Sequence, residues 1–492
     1  MENLELSLNE MANASNGQVL NPQKQDHQFS EMVYDSRKIT PQSIFWCIAG
    51  NRVDGHNFIS DAIQSGAALI VGDNEKKIIA EASQFKNVSF LVVGDVLKSL
   101  QGLATYYRKK FNIPVAALTG SSGKTTTKDL VASIFSVDNK VLVTQGSLNN
   151  HWGVPQTVLC LRSHHRAAVF ELGTSGIGEI HNLASICQPR IGFITTIGSS
   201  HLSTLENEEG VLKAKREIDD WIIANNKQKT LIFNLDNPYL EKLHFEILSK
   251  KDASIKIYTL SQKKTSADCT ISEAKPIGEK FSFGWEYEMK TPWGKLEGIL
   301  PLPGEHNLLN ALSAACLAFS TGLARIEQVQ EGLKNPKISK LRSHIFRIPL
   351  GSLVYDDTYN ANPSSVAALF NSARAIVTQA DSKLLKTIAV VGDMLELGAN
   401  AKELHNQMGE KAAQCGIEVL FAYGEHALDW TEGYRKAAPS SARIAQVFKT
   451  KKDLISAIFE AIKAHPKDVL ILVKGSRGAQ MDEVVTQLAQ KA

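Results

Sequence analysis

Residues 116–130 read AALTGSSGKTTTKDL. An apolar run ends in a glycine-bracketed loop, followed by a lysine, three threonines and the start of a helical pattern. Gly120-Ser-Ser-Gly-Lys-Thr is a short relative of the phosphate-binding loop, with two residues fewer between its glycines than the commonest form. Glycines let backbone N–H groups converge on phosphate oxygens, and the helix that follows points its positive end at them. Gly120, Ser121, Ser122, Gly123, Lys124, Thr125 and Thr126 are therefore expected to hold the phosphates of a nucleotide. Lys124 reaches the outer phosphates, and the Thr125 hydroxyl suits Mg²⁺. The loop does not say whether the terminal phosphate goes to water, to a switch or to a second substrate.

From Val115 onward the pattern of strand, polar loop and helix repeats. AAVFELGTS, IGFITTIGSSH and TLIFNLDN are short apolar runs that each end in polar or glycine-containing segments. Continuous apolar strands imply a parallel sheet covered on both faces, so the fold class is α/β. Polar residues at strand ends match the rule that such sheets bind ligands at their carboxyl edge. Earlier runs (SIFWCIAG, AALIVGD, FLVVGD) and later ones (SLVYDDTYNANP, TIAVVGDMLELG, VLFAYG, VLILVKGSRG) form two further sets. Boundaries are expected near Asn112–Pro114 and at Pro336, dividing the chain into 1–111, 112–335 and 336–492.

A chain of 492 residues is too long for one ordinary core. A net charge of +3 argues against a nucleic-acid surface, which needs concentrated basic residues. The six cysteines are scattered singly, without zinc or disulfide spacing. No run approaches bilayer-spanning length and no targeting segment opens the chain, so the expectation is a cytoplasmic protein without membrane insertion. The first thirty residues are polar, with a capping-box start at Ser7–Glu10; no role is assigned to them.

Several other residues bear chemistry. Glu171 closes a buried strand, where a hard cation wants oxygen ligands, although a surface glutamate reads the same way. His201 follows another strand. Lys213, Lys215 and Arg216 by default lie on a solvated helix face. His306, Asn307 and Asn310 open a helix at a glycine-rich turn and suit either capping or the edge of a purine base. Asp356 and Asp357 end a strand ahead of Asn360, Asn362 and Pro363.

Taken in order, TGSSGKTTTK, the NN of GSLNNHWGVP, ELGTSGIGEI, HLSTL…KAKREI, PGEHNLLNA, DDTYNANP, GDMLELG and KGSRG resemble the motifs of the Mur ligases. YDSRKITPQSIFWCIAGNRVDGHNFI looks like that family's UDP-binding domain, so the resemblance runs from about Val33 to Val485. It implies a central P-loop parallel-sheet domain that binds ATP. An N-terminal UDP-binding α/β domain and a C-terminal Rossmann-like domain for the incoming amine flank it. YNANP with GDMLELG is similar to the members that add D-alanyl-D-alanine to UDP-N-acetylmuramoyl-tripeptide.

The resemblance implies roles residue by residue. Glu171 and His201 hold Mg²⁺ together with Thr125. Lys215, fourteen residues beyond His201, matches a carbamylated lysine. Asn307 and Asn310 face the adenine, and Asp357 and Arg342 belong to the ATP site, Arg342 closing onto the phosphates. Asp35, Ser36, Arg37, Asp54, Gly55 and His56 form the uridine-diphosphate side, with Asn149 and Asn150 near the muramoyl-peptide. Asn360, Asn362, Asp393, Glu396, Lys474, Ser476 and Arg477 line the dipeptide and closure side. One departure stands out: Leu341 takes the place of the family's usual glycine before Arg342, and the acidic residue after it is absent.

The implied reaction is amide formation through an acyl phosphate, by a monomer, with Lys124, His201, Arg342 and Lys215 as the catalytic set. A third-residue-adding ligase or a polyglutamate synthetase shares the architecture, although DSR…DGH disfavours a folate substrate. A P-loop NTPase without ligase activity is the reading from another class, and it leaves the distal motifs unexplained.

Overall fold

The computed structural model describes residues 3–23, 29–50, 53–136, 140–279, 282–379, 386–438, 443–463 and 466–490. Among these, the strands assemble into three sheets. Val115–Thr119, the strand feeding the P-loop, is wholly buried, as a continuous apolar run requires. It pairs in parallel with Ala167–Glu171 on one side and Ile191–Ile194 on the other. The chain thus builds outward from this strand in both directions, through Val141–Val143 on one flank and Lys229–Asn234 and Ile255–Ser261 on the other. A sheet that reverses its order about one strand opens a crevice at that strand's carboxyl end, and the P-loop sits there. An antiparallel extension (Cys269–Glu279, Ser282–Thr291, Gly294–Leu300) completes the nine-stranded sheet.

The N-terminal sheet has five strands, and its parallel members Met32–Val33, Ile44–Trp46 and Leu69–Gly72 lie side by side. Residues that follow these strands share one edge. Among the described residues before Val33, two elements form part of this layer. Helix Leu8–Ser15 carries a complete Ser7/Glu10 capping box and packs on helix Val96–Arg108. Gln18–Leu20 adds an antiparallel edge strand to Ser89–Val92. Arg108, 4% exposed, donates to the carbonyls of Cys187, Phe111 and Ile113 and so pins the passage into the central layer.

The C-terminal sheet has six strands, five of them parallel. Leu353–Asp356, Val469–Lys474 and Lys386–Val391 are adjacent, so Asp357, Lys474 and Asp393 emerge along one edge. The connection into this layer is anchored to the P-loop helix Lys124–Phe135. The Lys337 N–H donates to Ser133 Oγ at 2.8 Å, and the Ser339 N–H to Asp129 Oδ2 at 2.8 Å. Asp129 is itself buried against Lys128 at 2.5 Å. The connection is therefore tied to the helix that follows the P-loop.

Removing one member of a buried ion pair strands the other charge, at a cost of about 3 kcal/mol. Asp129→Ala is expected to lower the guanidinium midpoint of the central layer accordingly, and Asp129→Asn by less, because it keeps the acceptor for Ser339. Equilibrium unfolding of the full chain checks this.

Candidate active site

The carboxyl edges of the central and C-terminal sheets face each other across a cavity of about 750 Å³. The P-loop forms its floor, and both glycines are required there. Gly120 has φ +148°, and a Cβ on it would lie 1.9 Å from Thr195 Oγ1. Gly123 has φ +83°, and a Cβ would lie 2.6 Å from Asn310 Oδ1. These are left-handed conformations that any other residue adopts at a cost. Neighbouring strand ends fix the loop: the Ser121 N–H donates to the Thr196 carbonyl at 2.8 Å, and Thr195 Oγ1 donates to the Ser122 carbonyl at 2.6 Å.

Lys124 lies over this floor, its Nζ donating to the Gly120 carbonyl at 2.5 Å. Burial pushes its pKa down and nearby Arg342 adds to the shift, while Glu171 opposes it. Lys215 is 1% exposed on helix Glu208–Asn225, with no hydrogen bond or ion pair among the described residues. Burial, and then the charge of Lys124, push its amine well below the ordinary lysine value. Lys124 thus lies within electrostatic reach of two other basic side chains, an arrangement that an anionic ligand relieves.

Glu171 is 1% exposed at the end of its strand. Its Oε1 accepts from Thr125 Oγ1 at 3.1 Å and from Asn149 Nδ2 at 2.8 Å. Oε2 is buried without a partner. An unsatisfied carboxylate oxygen beside a threonine hydroxyl is a donor set that suits Mg²⁺. His201 also lines the cavity, with φ +54°. Its Nδ1 lies 2.5 Å from Glu396 Oε2, a close contact rather than an aligned hydrogen bond. That contact holds the Glu396 carboxyl below its ordinary value.

The C-terminal side closes the cavity. Arg342 stacks its guanidinium on Tyr359, 4.0 Å from the ring centre, and its Nε is buried without a partner. Lys474 pairs with Asp357 and donates to the Asn360 carbonyl at 2.9 Å. Asn362 reaches the P-loop directly: its Nδ2 donates to the Ser121 carbonyl at 3.3 Å and its Oδ1 accepts from Ser122 Oγ at 3.3 Å. Ser364 Oγ meets Ser122 Oγ at 3.0 Å. The two sheets are thus in contact at the floor of the site.

Three family models match this chain in succession: "Mur ligase family, catalytic domain" over residues 28–116, "Mur ligase middle domain" over 118–318 and "Mur ligase, glutamate ligase domain" over 342–477. The chain is similar to the UDP-N-acetylmuramoyl-tripeptide–D-alanyl-D-alanine ligase of Escherichia coli K12, with 32% identity over 489 residues and 99% of each chain covered. The chain belongs to the Mur ligase family. A relative of the same name from Bacillus subtilis is 30% identical, covering 96% of each chain. The crystal structure of MurF from Acinetobacter baumannii superposes with a TM-score of 0.83 at 28% identity, over 100% of both chains.

In this Mur ligase the cavity brings together most, but not all, of the residues singled out from the sequence. Ser121, Ser122, Gly123, Lys124, Thr125 and Thr126 line it, as do Asn149, Asn150, Glu171 and His201. From the far side Asn310, Arg342, Asp357, Asn360, Asn362 and Lys474 line it too. Asn307 does not: it is fully buried and donates to the Pro303 carbonyl at 2.7 Å, while its Oδ1 accepts from Asn310. Asn310 presents the polar edge instead, next to His306, whose pKa burial lowers to about 4. Lys215, Asp393, Glu396, Ser476 and Arg477 are not part of the lining. Asp393 accepts from the N–H groups of Glu425 and His426, Ser476 Oγ accepts from the Leu395 N–H, and Arg477 pairs with Asp482 at 2.9 Å.

On the N-terminal sheet, Asp54 and His56 line a smaller hollow with Asp73 and Asn74. Burial opposes ionisation of Asp54, but hydrogen bonds from His56 and Lys77 outweigh it and hold the carboxyl at about 2. His56 Nε2 accepts from the Asp73 and Asn74 N–H groups at 3.2 Å, so its proton sits on Nδ1, facing Asp54. Gly55 is there because a Cβ would meet the Ile48 backbone at 2.7 Å. Asp35, Ser36 and Arg37 lie outside this hollow but follow a neighbouring parallel strand on the same edge, Asp35 capping its own short helix and pairing with Arg37.

Sequence reasoning missed Gln101, which enters the large cavity from the N-terminal layer and donates to the His151 carbonyl at 3.1 Å. It also missed Tyr359 as the seat of Arg342, although that tyrosine lies inside the quoted motif. Lys215 had a readable signal. It falls in the stripe Val211, Ala214, Ile218, Ile222, the buried face of its helix.

The backbone explains the departure at Leu341. Its φ is +66°, the left-handed region where glycine is the unstrained choice, and Ser343 beyond Arg342 has φ +47°. The Leu341 carbonyl accepts from the Tyr359 N–H at 3.1 Å and so holds the strained turn in place. Leu341→Gly is expected to keep activity and raise stability by up to about 1 kcal/mol. Leu341→Val, β-branched at positive φ, is expected to lower it by more than that. Thermal unfolding of the two variants beside the parent checks the order.

Proposed function

We propose that this Mur ligase joins D-alanyl-D-alanine to the terminal carboxylate of UDP-N-acetylmuramoyl-tripeptide, driven by ATP, as a step of peptidoglycan precursor synthesis. The observation that carries the chemistry is the meeting of Lys124 and Arg342 in one cavity, beside a carboxylate with an unpaired oxygen and with the buried Lys215 within electrostatic reach of Lys124. The assignment of substrates rests on full-length similarity to ligases of that name.

A carboxylate and an amine do not condense readily in water, because the carboxylate is a poor electrophile with a poor leaving group. In the proposed reaction the tripeptide carboxylate attacks the γ-phosphorus of ATP, and ADP leaves. The resulting acyl phosphate carries a good leaving group. The dipeptide amine adds to its carbonyl carbon, loses a proton and expels phosphate, leaving the amide.

Each residue acts by position and charge, which is most of what phosphoryl transfer asks of a protein. Lys124 spans from the Gly120 carbonyl toward the outer phosphates. Arg342, held flat on Tyr359, offers its unpaired Nε from the other side. Asn362 and Ser364 bring the C-terminal sheet onto the P-loop and shield the acyl phosphate from water. Thr125, Glu171 and His201 are the residues that would hold Mg²⁺, which when bound supplies charge neutralisation at the phosphates. Lys215 fits carbamylation, since CO₂ adds only to a neutral amine and burial favours the neutral form of this one. The adduct would replace a repelling cation beside Lys124 with an anion. Residues 1–111, 112–335 and 336–492 serve as the UDP-binding, ATP-binding and dipeptide-binding units of a monomer.

Phosphate release is expected to require both UDP-muramoyl-tripeptide and D-alanyl-D-alanine; ATP turnover indifferent to both sinks the reading. Lys124→Ala is expected to cost at least about 10²–10³ in kcat. Lys215→Ala is expected to lose activity and regain part of it with short-chain carboxylates, and full activity without them refutes the carbamate.

A further inference from the structure

Glu396 stands in a part of the fold that the reaction above does not use. It belongs to the loop Gly392–Gly398, which follows the C-terminal strand Lys386–Val391, yet its carboxylate lies on a residue of the central domain, His201. The contact is held from both ends. On the loop side, the Met394 N–H donates to His405 Nε2 at 2.9 Å and the Leu395 N–H to Ser476 Oγ at 2.9 Å, while the Ser476 N–H donates to the Asp393 carbonyl at 2.9 Å. Across the interface, the Ser203 N–H donates to the Glu396 carbonyl at 3.1 Å, and Gly398 packs on Leu202 and Ser203. Both Glu396 (φ +64°) and His201 (φ +54°) sit in the left-handed region, a backbone cost that the docked interface maintains.

The chemistry of the contact is specific. Glu396 takes Nδ1 of the imidazole at 2.5 Å, and Nε2 makes no hydrogen bond among the described residues. A carboxylate held against one ring nitrogen restricts the orientation of the ring and leaves the other nitrogen for a ligand. Here that carboxylate comes from a different domain than the histidine it orients.

We propose that Glu396 is a positioning residue for His201, delivered by docking of the C-terminal domain, so that the metal-binding histidine is set for its ligand only when the two domains are together. This rests on the ligase reading. It makes metal retention depend on domain closure, and it lets the site loosen its metal–nucleotide product when the domains part.

The test uses the full-length enzyme and the variants Glu396→Gln and Glu396→Asp. In Glu396→Gln the Mg²⁺ concentration needed for half-maximal ligation at saturating ATP is expected to rise about 10-fold, the usual scale for losing such a partner. Mn²⁺ binding to the enzyme–ADP complex, followed by electron paramagnetic resonance, is expected to weaken by a similar factor, and UDP-tripeptide affinity to stay as in the parent. Glu396→Asp, which keeps the charge on a shorter stem, is expected to recover part of both losses. Unchanged Mg²⁺ dependence and Mn²⁺ affinity in Glu396→Gln overturn the proposal, as does a fall in kcat with no change in either. If Glu396→Gln does not fold, the same two readings on Glu396→Asp decide. Absence of ligation in the parent enzyme would instead count against the ligase reading, so the two failures are distinct.

Discussion

The crowding of basic side chains around Lys124 is the constraint on which the site depends. Lys124 sits within electrostatic reach of both Arg342 and Lys215, and burial disfavours charge on Lys124 and Lys215. Such a crevice is comfortable only when anions enter it, and a triphosphate with an attacking carboxylate is an anionic cargo of the right kind. The fold supplies the crevice because its nine-stranded sheet reverses order about Val115–Thr119. The two P-loop glycines let the backbone close over it where any side chain would collide with Thr195 or Asn310.

A second requirement is that the parts come from different domains. The P-loop and Glu171 belong to the central sheet, Arg342 and Lys474 to the C-terminal one, and Gln101 reaches in from the N-terminal layer. Their meeting depends on small polar contacts, Asn362 and Ser364 on the P-loop and Glu396 on His201. Contacts of this size hold a domain in place without locking it, which suits a reaction that must admit three substrates and then exclude water. The connection into the C-terminal layer is tied to the P-loop helix itself, through Lys337 and Ser339.

Much of this was legible in the sequence, for physical reasons that differ from element to element. Gly120–Thr126 and the strand ends at Glu171, Asp357 and Lys474 could be read because local chemistry and strand polarity together fix where they go. The capping box at Ser7–Glu10 was equally local, although the packing of its helix onto Val96–Arg108 was not. Asn307 and Asn310 are one helical turn apart, and only their neighbours decide that Asn310 faces the cavity while Asn307 turns to the Pro303 carbonyl. The departure at Leu341 was visible as a missing glycine, and its meaning required the backbone φ of +66°. The contact of His201 with Glu396 joins residues far apart in the chain and on separate sheets. No periodicity or motif encodes it; it exists only in the docked arrangement.

In the proposed reaction the γ-phosphate passes to a substrate carboxylate before leaving. Labelling both oxygens of the tripeptide's terminal carboxylate with ¹⁸O and analysing the released phosphate by mass spectrometry tests it directly. Carboxylate attack on phosphorus, followed by expulsion of phosphate by the amine, carries one labelled oxygen into each phosphate released during ligation. Phosphate free of label, with ATP consumed at the same rate, would mean that water takes the phosphoryl group and would contradict the account.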